Sequence, residues 1–151
     1  MYIDDIPFSE CKSDYDVEKQ AREIYLNYIV PDRLPKNEKQ DLVHRFRKHV
    51  IDSGFAGISR NLCHQIENYA EFSGTLEMAD AFRVVSLFES VYILDRLGFL
   101  PPQWAYDNMY LWLRELLYKH RPVMKEAFAS LRERWNKVWW EELVHRQEEM
   151  A

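Results

Sequence analysis

Two short stretches of the sequence pair a carboxylate with an imidazole, a combination that can bind a metal ion. Asp41 and His44 are three residues apart, and so are Glu142 and His145. On a helix this spacing puts both side chains on one face. Di-iron helical bundles combine such pairs with glutamates from their other helices. A metal centre is therefore the first chemistry to consider.

Helical periodicity argues against that metal centre. At about 100° per residue, His44 falls opposite the apolar positions Leu42 and Phe46 and so faces solvent. The second pair lies near the apolar side of the last predicted helix, but at its end. Glu67 or Glu89 would have to supply the further carboxylates. We therefore expect no metal and no cofactor, and interpret the two pairs as capping or salt-bridging groups.

No other cluster predicts a catalytic residue. The densest basic run, "HRFRKH" at 44–49, distributes its charges around the flanks of a helix and is typical of a solvated face rather than a phosphate site. Cys63 and His64 are adjacent, so on a helix they point about 100° apart and form no ready dyad. The sequence contains no phosphate loop, nucleophile elbow or HExxH motif.

The bulk properties narrow the class of protein. The chain has 151 residues, 47% hydrophobic and 30% charged, enough for one soluble domain with a real core. A net charge of −5 disfavours nucleic acid as a partner. Two cysteines, Cys11 and Cys63, are typical of free thiols in a reducing cytoplasm. Every long apolar stretch is interrupted by charges, so we expect no membrane partner either.

Apolar spacing predicts an all-α fold, a compact bundle of about six helices with no sheet. We expect residues 1–13 to form an extended N-terminal segment and residues 14–151 a single helical domain. The fourth helix is apolar almost all round and is therefore predicted to be the central one. The predicted helices span about 14–29, 37–53, 56–72, 75–97, 102–119 and 122–148.

Glycine and polar residues predict where these helices begin and end. Gly54, Gly74 and Gly98 each follow an apolar-periodic run, where a helix C-terminus favours a residue that tolerates positive φ. Asn37 and Thr75 stand at positions suited to N-caps.

The fifth predicted helix has apolar residues on two faces, although a surface helix needs only one. Trp104, Leu111 and Tyr118 are spaced by seven residues and form a line opposite the expected core face, with Trp112 on the flank. On the last helix Trp140 also points away from the inward face. The expected core face of the fifth helix comprises Tyr106, Met109, Tyr110, Leu113, Leu116 and Leu117.

Either another helix of the same chain covers this second line, or it is a surface for a protein partner or a homo-oligomer. Large exposed aromatic patches on soluble proteins tend to be binding sites, and Trp and Tyr are favoured anchors there. We therefore predict a non-catalytic, cytoplasmic, regulatory protein-interaction module that binds either another protein or a second copy of itself. An enzyme built on the bundle, with a metal or apolar-ligand cavity, is an alternative from a different class.

Part of the chain resembles a known family. The stretches "AREIYLNYI", "LCHQIENY" and "LFESVYILD", within Tyr15 to Leu97, are similar to the later helices of regulator of G-protein signalling domains. The resemblance implies a helical fold and, as a further alternative, a GTPase regulator. The front helices of that family have no counterpart before Val17, and the last two helices here are additional. No functional residue can therefore be transferred from the family.

Overall fold

A computed structural model of the chain describes residues 8–99 and 104–132, and the side chains within them except those at 104–107, 110, 131 and 132. The described part is all helical, as predicted, with no strand among these residues. A π-helical turn, Tyr25–Ile29, continues the first helix. The α-helices are α1 (Asp14–Ile24), α2 (Lys36–Asp52), α3 (Ile58–Glu71), α4 (Met78–Arg96), α5 (Trp104–Lys119) and α6 (Arg121–Arg132).

Helix α4 is the centre of the bundle, which confirms the interpretation of its all-round apolar sequence. It contacts α1, α3, α5 and α6. From Leu87 to Leu94 every residue of α4 is buried. Phe88 is fully buried, and the Tyr92 ring lies edge-on to Tyr25, with 6.4 Å between ring centroids. The described helices therefore share one hydrophobic core built around α4.

Two helix ends follow the glycine prediction and one does not. Gly54 and Gly98 have φ values of +92° and +83°. After α2, the amides of Gly54 and Phe55 donate to the carbonyls of Ile51 and Val50. After α4, Gly98 and Phe99 donate in the same way to Asp95 and Leu94. This is the Schellman pattern, which needs a residue in the left-handed conformation.

The prediction for Gly74 was wrong, because this residue lacks a positive φ and lies beyond the end of α3.

The predicted N-caps were also wrong. Asn37 lies inside α2, whose N-cap is Pro35, and Thr75 precedes the Glu77 N-cap of α4. The side-chain cap that the structure shows is Ser13, whose Oγ accepts a hydrogen bond from the Asp16 amide at 3.3 Å. The path of the preceding loop decides at which residue a helix starts, and the spacing of apolar residues does not reveal that path.

Residues before α1 pack on α2. The Phe8 ring lies 5.7 Å from that of Phe46 and stacks on His49 at 5.3 Å. The Ser9 carbonyl accepts a hydrogen bond from the Gln20 side chain at 2.8 Å and lies at the same distance from His49 Nε2. Residues 8–12 form neither helix nor strand. This part of the N-terminal segment therefore completes the core against α2.

The position of Phe88 predicts a large effect on stability. Because its side chain is fully buried in the central helix, we expect Phe88→Ala to lower the free energy of unfolding by about 3–5 kcal/mol. Urea denaturation followed by circular dichroism measures the change. Ile51, exposed at the end of α2, supplies the control, since Ile51→Ala is expected to change stability by less than about 0.5 kcal/mol. Equal midpoints for the two variants would contradict the central role of α4.

Candidate interaction surface

One side of α5 fixes it to the bundle. Met109, Leu113 and Leu116 follow the three- and four-residue spacing of a helix face, and all three are buried. Leu117 beside them is partly buried against the same core. This face packs on α3, α4 and α6. The predicted core face of α5 is thus confirmed at every position whose side chain the structure describes.

Polar contacts anchor the end of α5 to the end of α3. The Lys119 ammonium donates a hydrogen bond to the Ala70 carbonyl at 2.9 Å. The buried His120 places Nε2 3.1 Å from the Phe72 carbonyl, and its ring stacks on the Phe72 ring. These contacts satisfy carbonyls at the α3 terminus that have no partner within their helix. The position of α5 is therefore set by both apolar and polar contacts.

The opposite side of α5 is exposed. The exposed fraction of Leu111 is 60%, and that of Tyr118 is 85%. Arg114 and Glu115 lie between them on the helix and are exposed as well. We call these four residues the α5 outer face. No described part of the chain covers Leu111 or Tyr118, so within that part the second apolar line is a surface and not a second core face.

The other predicted surface residues fall in different places. Trp112 is half-buried and packs against the core, so it borders the outer face without belonging to it. Trp104 begins α5, but its side chain lies outside the described residues. Trp140 lies outside them altogether. The structure thus brings two of the five predicted residues, Leu111 and Tyr118, together on one exposed face.

A buried ionic network that the apolar periodicity did not predict joins α1, α3 and α4. The Glu18 side chain is 3% exposed. Arg83 donates to its two carboxylate oxygens at 3.2 and 3.3 Å, and the Ser90 hydroxyl donates to Oε1 at 2.9 Å. Arg83 also donates to the Gln65 side-chain oxygen at 3.3 Å. Four polar side chains from three helices therefore satisfy one another around the buried Glu18 carboxylate.

A second ion pair lies beside this network. Glu89 is buried in α4, and the Arg22 guanidinium of α1 donates to its carboxylate. Glu18 and Arg22 lie one turn apart on α1, so this helix contributes one charge of each sign to α4. Each buried carboxylate is held by a guanidinium, an arrangement suited to fixing helix positions rather than to proton transfer.

A signal for this network was present in the sequence. Glu18 is spaced by three and seven residues from Ala21 and Tyr25, so it shares their buried side of α1. Arg83 and Glu89 interrupt an otherwise apolar helix. A charge at a position that periodicity places in the core needs a partner, because burial of an unpaired charge is strongly unfavourable.

The metal-like pairs do not gather into a cluster in the described part of the chain. Asp41 and His44 are both exposed on α2, as periodicity predicted for His44. Glu67 Oε2 lies 3.7 Å from His64 Nδ1, and the Glu89 carboxylate pairs with the Arg22 guanidinium. Glu142 and His145 lie outside the described residues. Among the described residues no three His, Cys, Asp or Glu side chains are close enough to hold a metal ion.

Two arginines of the basic run at 44–49 contribute to the fold. The Arg45 guanidinium lies over the Phe8 ring at 5.7 Å from its centroid. Arg47 donates to the Gly98 carbonyl at 3.2 Å, and Lys48 donates to Asp52 at 2.6 Å. Arg45 and Arg47 thus contact neighbouring segments of the same chain, whereas His44 and Lys48 are exposed to solvent as predicted.

Both cysteines are free and buried. Burial, and secondarily the charge of Glu67, raises the pKa of the Cys63 thiol to about 12. Burial also raises the pKa of Cys11, an effect that the hydrogen bond from Gln20 opposes. His64 is exposed while Cys63 is buried, so the two side chains point apart as the sequence predicted. A thiol with a raised pKa is a poor nucleophile at neutral pH.

Comparisons of the chain with protein-family models, with curated proteins and with solved structures yield no match. The resemblance to regulator of G-protein signalling domains therefore stays a prediction. No helix in the described part of the chain is long and apolar enough to cross a membrane.

The ionic network predicts an asymmetric response to substitution. Arg83→Leu should lower the free energy of unfolding by about 3 kcal/mol, because it leaves the Glu18 carboxylate buried without a counter-charge. This loss lies at the low end of the range for removing one partner of a buried ion pair, because the Arg83 side chain is one-third exposed. Lys48→Met, which removes an exposed partner of Asp52, should leave the free energy of unfolding nearly unchanged. Similar losses for both variants in urea denaturation would contradict the interpretation.

Thiol chemistry supplies a further prediction. We expect iodoacetamide at pH 8 to modify neither cysteine in the folded protein and both in denaturant, because burial limits access and suppresses the thiolate. Mass spectrometry counts the added groups. Rapid modification of Cys63 in the folded chain would show that α3 does not bury it.

The raised pKa of the Cys63 thiol predicts a dependence of the free energy of unfolding on pH. The pKa of Cys63 is about 12 in the folded chain, against about 9 for an unburied thiol. Between these two pKa values the Cys63 thiol is deprotonated in the unfolded chain but still protonated in the folded chain. Raising the pH therefore stabilises the unfolded state relative to the folded state, by at most about 4 kcal/mol. Below pH 9 the effect is absent. Wild type should therefore lose stability relative to Cys63→Ala as the pH is raised from 9 to 11.

Proposed function

We propose that this protein is a non-catalytic helical module that binds another protein chain through the α5 outer face. The observation that supports the proposal most is the exposure of Leu111 and Tyr118, 60% and 85%, on a helix whose other side is held firmly in the bundle. Exposed apolar side chains are common singly, but two on one line of one helix form a patch. As a regulatory role we propose the control of a partner through this binding.

The α5 outer face is rigid as well as exposed. The buried face of α5 and the Lys119 and His120 contacts hold the helix in place before any partner arrives. A preorganised surface binds with less loss of conformational entropy than a mobile one. Tyrosine adds a large amphipathic contact with only two rotatable side-chain angles, which suits it to be an anchor.

The alternatives receive less support from the described residues. The buried carboxylates Glu18 and Glu89 are bound in ion pairs, and both thiols have raised pKa values, so neither group offers a ready catalytic nucleophile or base. A role as a GTPase regulator depends on the partial family resemblance alone.

Leu111→Asp tests the proposal. Because Leu111 is exposed, this change should alter the free energy of unfolding by less than about 0.5 kcal/mol. It should abolish partner binding, since the new carboxylate would be buried without a counter-charge. Affinity capture with wild type and variant, followed by mass spectrometry, measures the binding. Ile51→Asp, which introduces the same charge at a residue 51% exposed on α2, is the matched control and should bind like wild type.

Two outcomes would count against the α5 outer face. Binding that survives both Leu111→Asp and Tyr118→Ser would place the partner elsewhere on the molecule. A collapse of thermal stability in Leu111→Asp, with Ile51→Asp unaffected, would show that Leu111 belongs to the core.

A further inference from the structure

We infer that the partner of the α5 outer face is a second copy of this chain, packed with its α5 parallel about a two-fold axis. This inference rests on the proposed function and names the occupant of the same surface. It follows from the order of residues on that face, which is apolar, cationic, anionic and apolar: Leu111, Arg114, Glu115, Tyr118.

The two charges lie on opposite flanks of the apolar line. At about 100° per residue, Leu111 and Tyr118 differ in direction by only about 20°, whereas Arg114 and Glu115 fall about 50° to either side of the mean. An apolar line with opposite charges on its two flanks is the pattern by which parallel helices pair.

The direction of pairing follows from symmetry. In a parallel two-fold pair the Arg114 flank of each helix faces the Glu115 flank of its partner. The dimer therefore contains two contacts between Arg114 of one copy and Glu115 of the other. Leu111 then packs on Leu111 and Tyr118 on Tyr118. An antiparallel pair centred on the same residues would bring Arg114 to Arg114 and Glu115 to Glu115. Like charges in contact oppose association, so the parallel arrangement is favoured.

The charged residues are available for such contacts. Within the described part of the chain the Arg114 guanidinium has no hydrogen-bonding or ionic partner. The Glu115 side chain is 54% exposed, and its carboxylate lies 3.8 Å from the Lys119 ammonium, which is also bound to the Ala70 carbonyl. A second copy therefore supplies Glu115 with a cation and Arg114 with an anion.

The size of the face sets the expected strength. Two apolar and two charged side chains from each copy form an interface below the roughly 1,200 Å² of stable complexes. The dimer should accordingly be weak and concentration-dependent. Sedimentation equilibrium of the full chain between about 10 µM and 1 mM covers the affinities expected of this interface class.

A charge exchange tests the geometry. Arg114→Glu and Glu115→Arg each create two like-charge contacts in the proposed dimer and should each weaken self-association about tenfold. An equimolar mixture of the two variants restores both pairs of opposite charge, so it should associate about as well as wild type, and as a heterodimer. Ile51→Glu, an added charge on α2, is the matched control and should leave self-association unchanged.

Each result has a defined meaning. Weakening in each single variant, together with rescue in the mixture to the wild-type level, supports the parallel dimer, and loss of the rescue at 1 M salt supports its ionic origin. An antiparallel pair would instead leave each single variant about as weak as wild type and make the mixture associate more tightly than wild type. Self-association that is lost in Leu111→Asp but not rescued in the mixture would overturn the parallel arrangement. A wild type that stays monomeric at 1 mM would overturn self-association. The proposed function would then stand only if a different protein binds wild type and not Leu111→Asp.

Discussion

The burial of α4 on all sides is the constraint from which the rest of the structure follows. A helix that is apolar almost all round can leave water only when neighbours surround it, and α1, α3, α5 and α6 do so here. The buried run from Leu87 to Leu94 includes both large apolar side chains and the polar Glu89 and Ser90. The neighbours of α4 must therefore supply apolar contact and polar partners at defined heights along the helix.

The ion pairs between α1 and α4 set those heights. Apolar side chains tolerate small shifts of one helix past another, whereas a buried carboxylate loses its partner if the helix slides by one turn. Glu18 and Arg22 on α1 face Arg83, Ser90 and Glu89 on α4. We regard this network as a device for position more than for net stability, because removing two charges from water largely offsets their attraction.

The covering of α4 also explains why α5 has two different apolar sides. Its inner side, with Leu113 and Leu116, is required to cover α4 and its neighbours. Nothing in the packing of the described helices requires Leu111 or Tyr118 to be apolar. Their exposure beside a firmly packed inner side is the feature on which the proposed interaction rests.

The sequence by itself determined the all-α class, the approximate spans of α1 to α5, the start of α6, the central place of α4 and the inner side of α5. These features depend on periodicity and on local chemistry, such as the left-handed glycines at positions 54 and 98. The rest of the last predicted helix, 133–148, lies outside the described residues. Only the tertiary structure decided that Glu18 is buried with Arg83, that Trp112 packs inward, and that Leu111 and Tyr118 are left exposed. The physical reason is that periodicity reports which residues share a side of a helix, while burial depends on which neighbouring element that side meets.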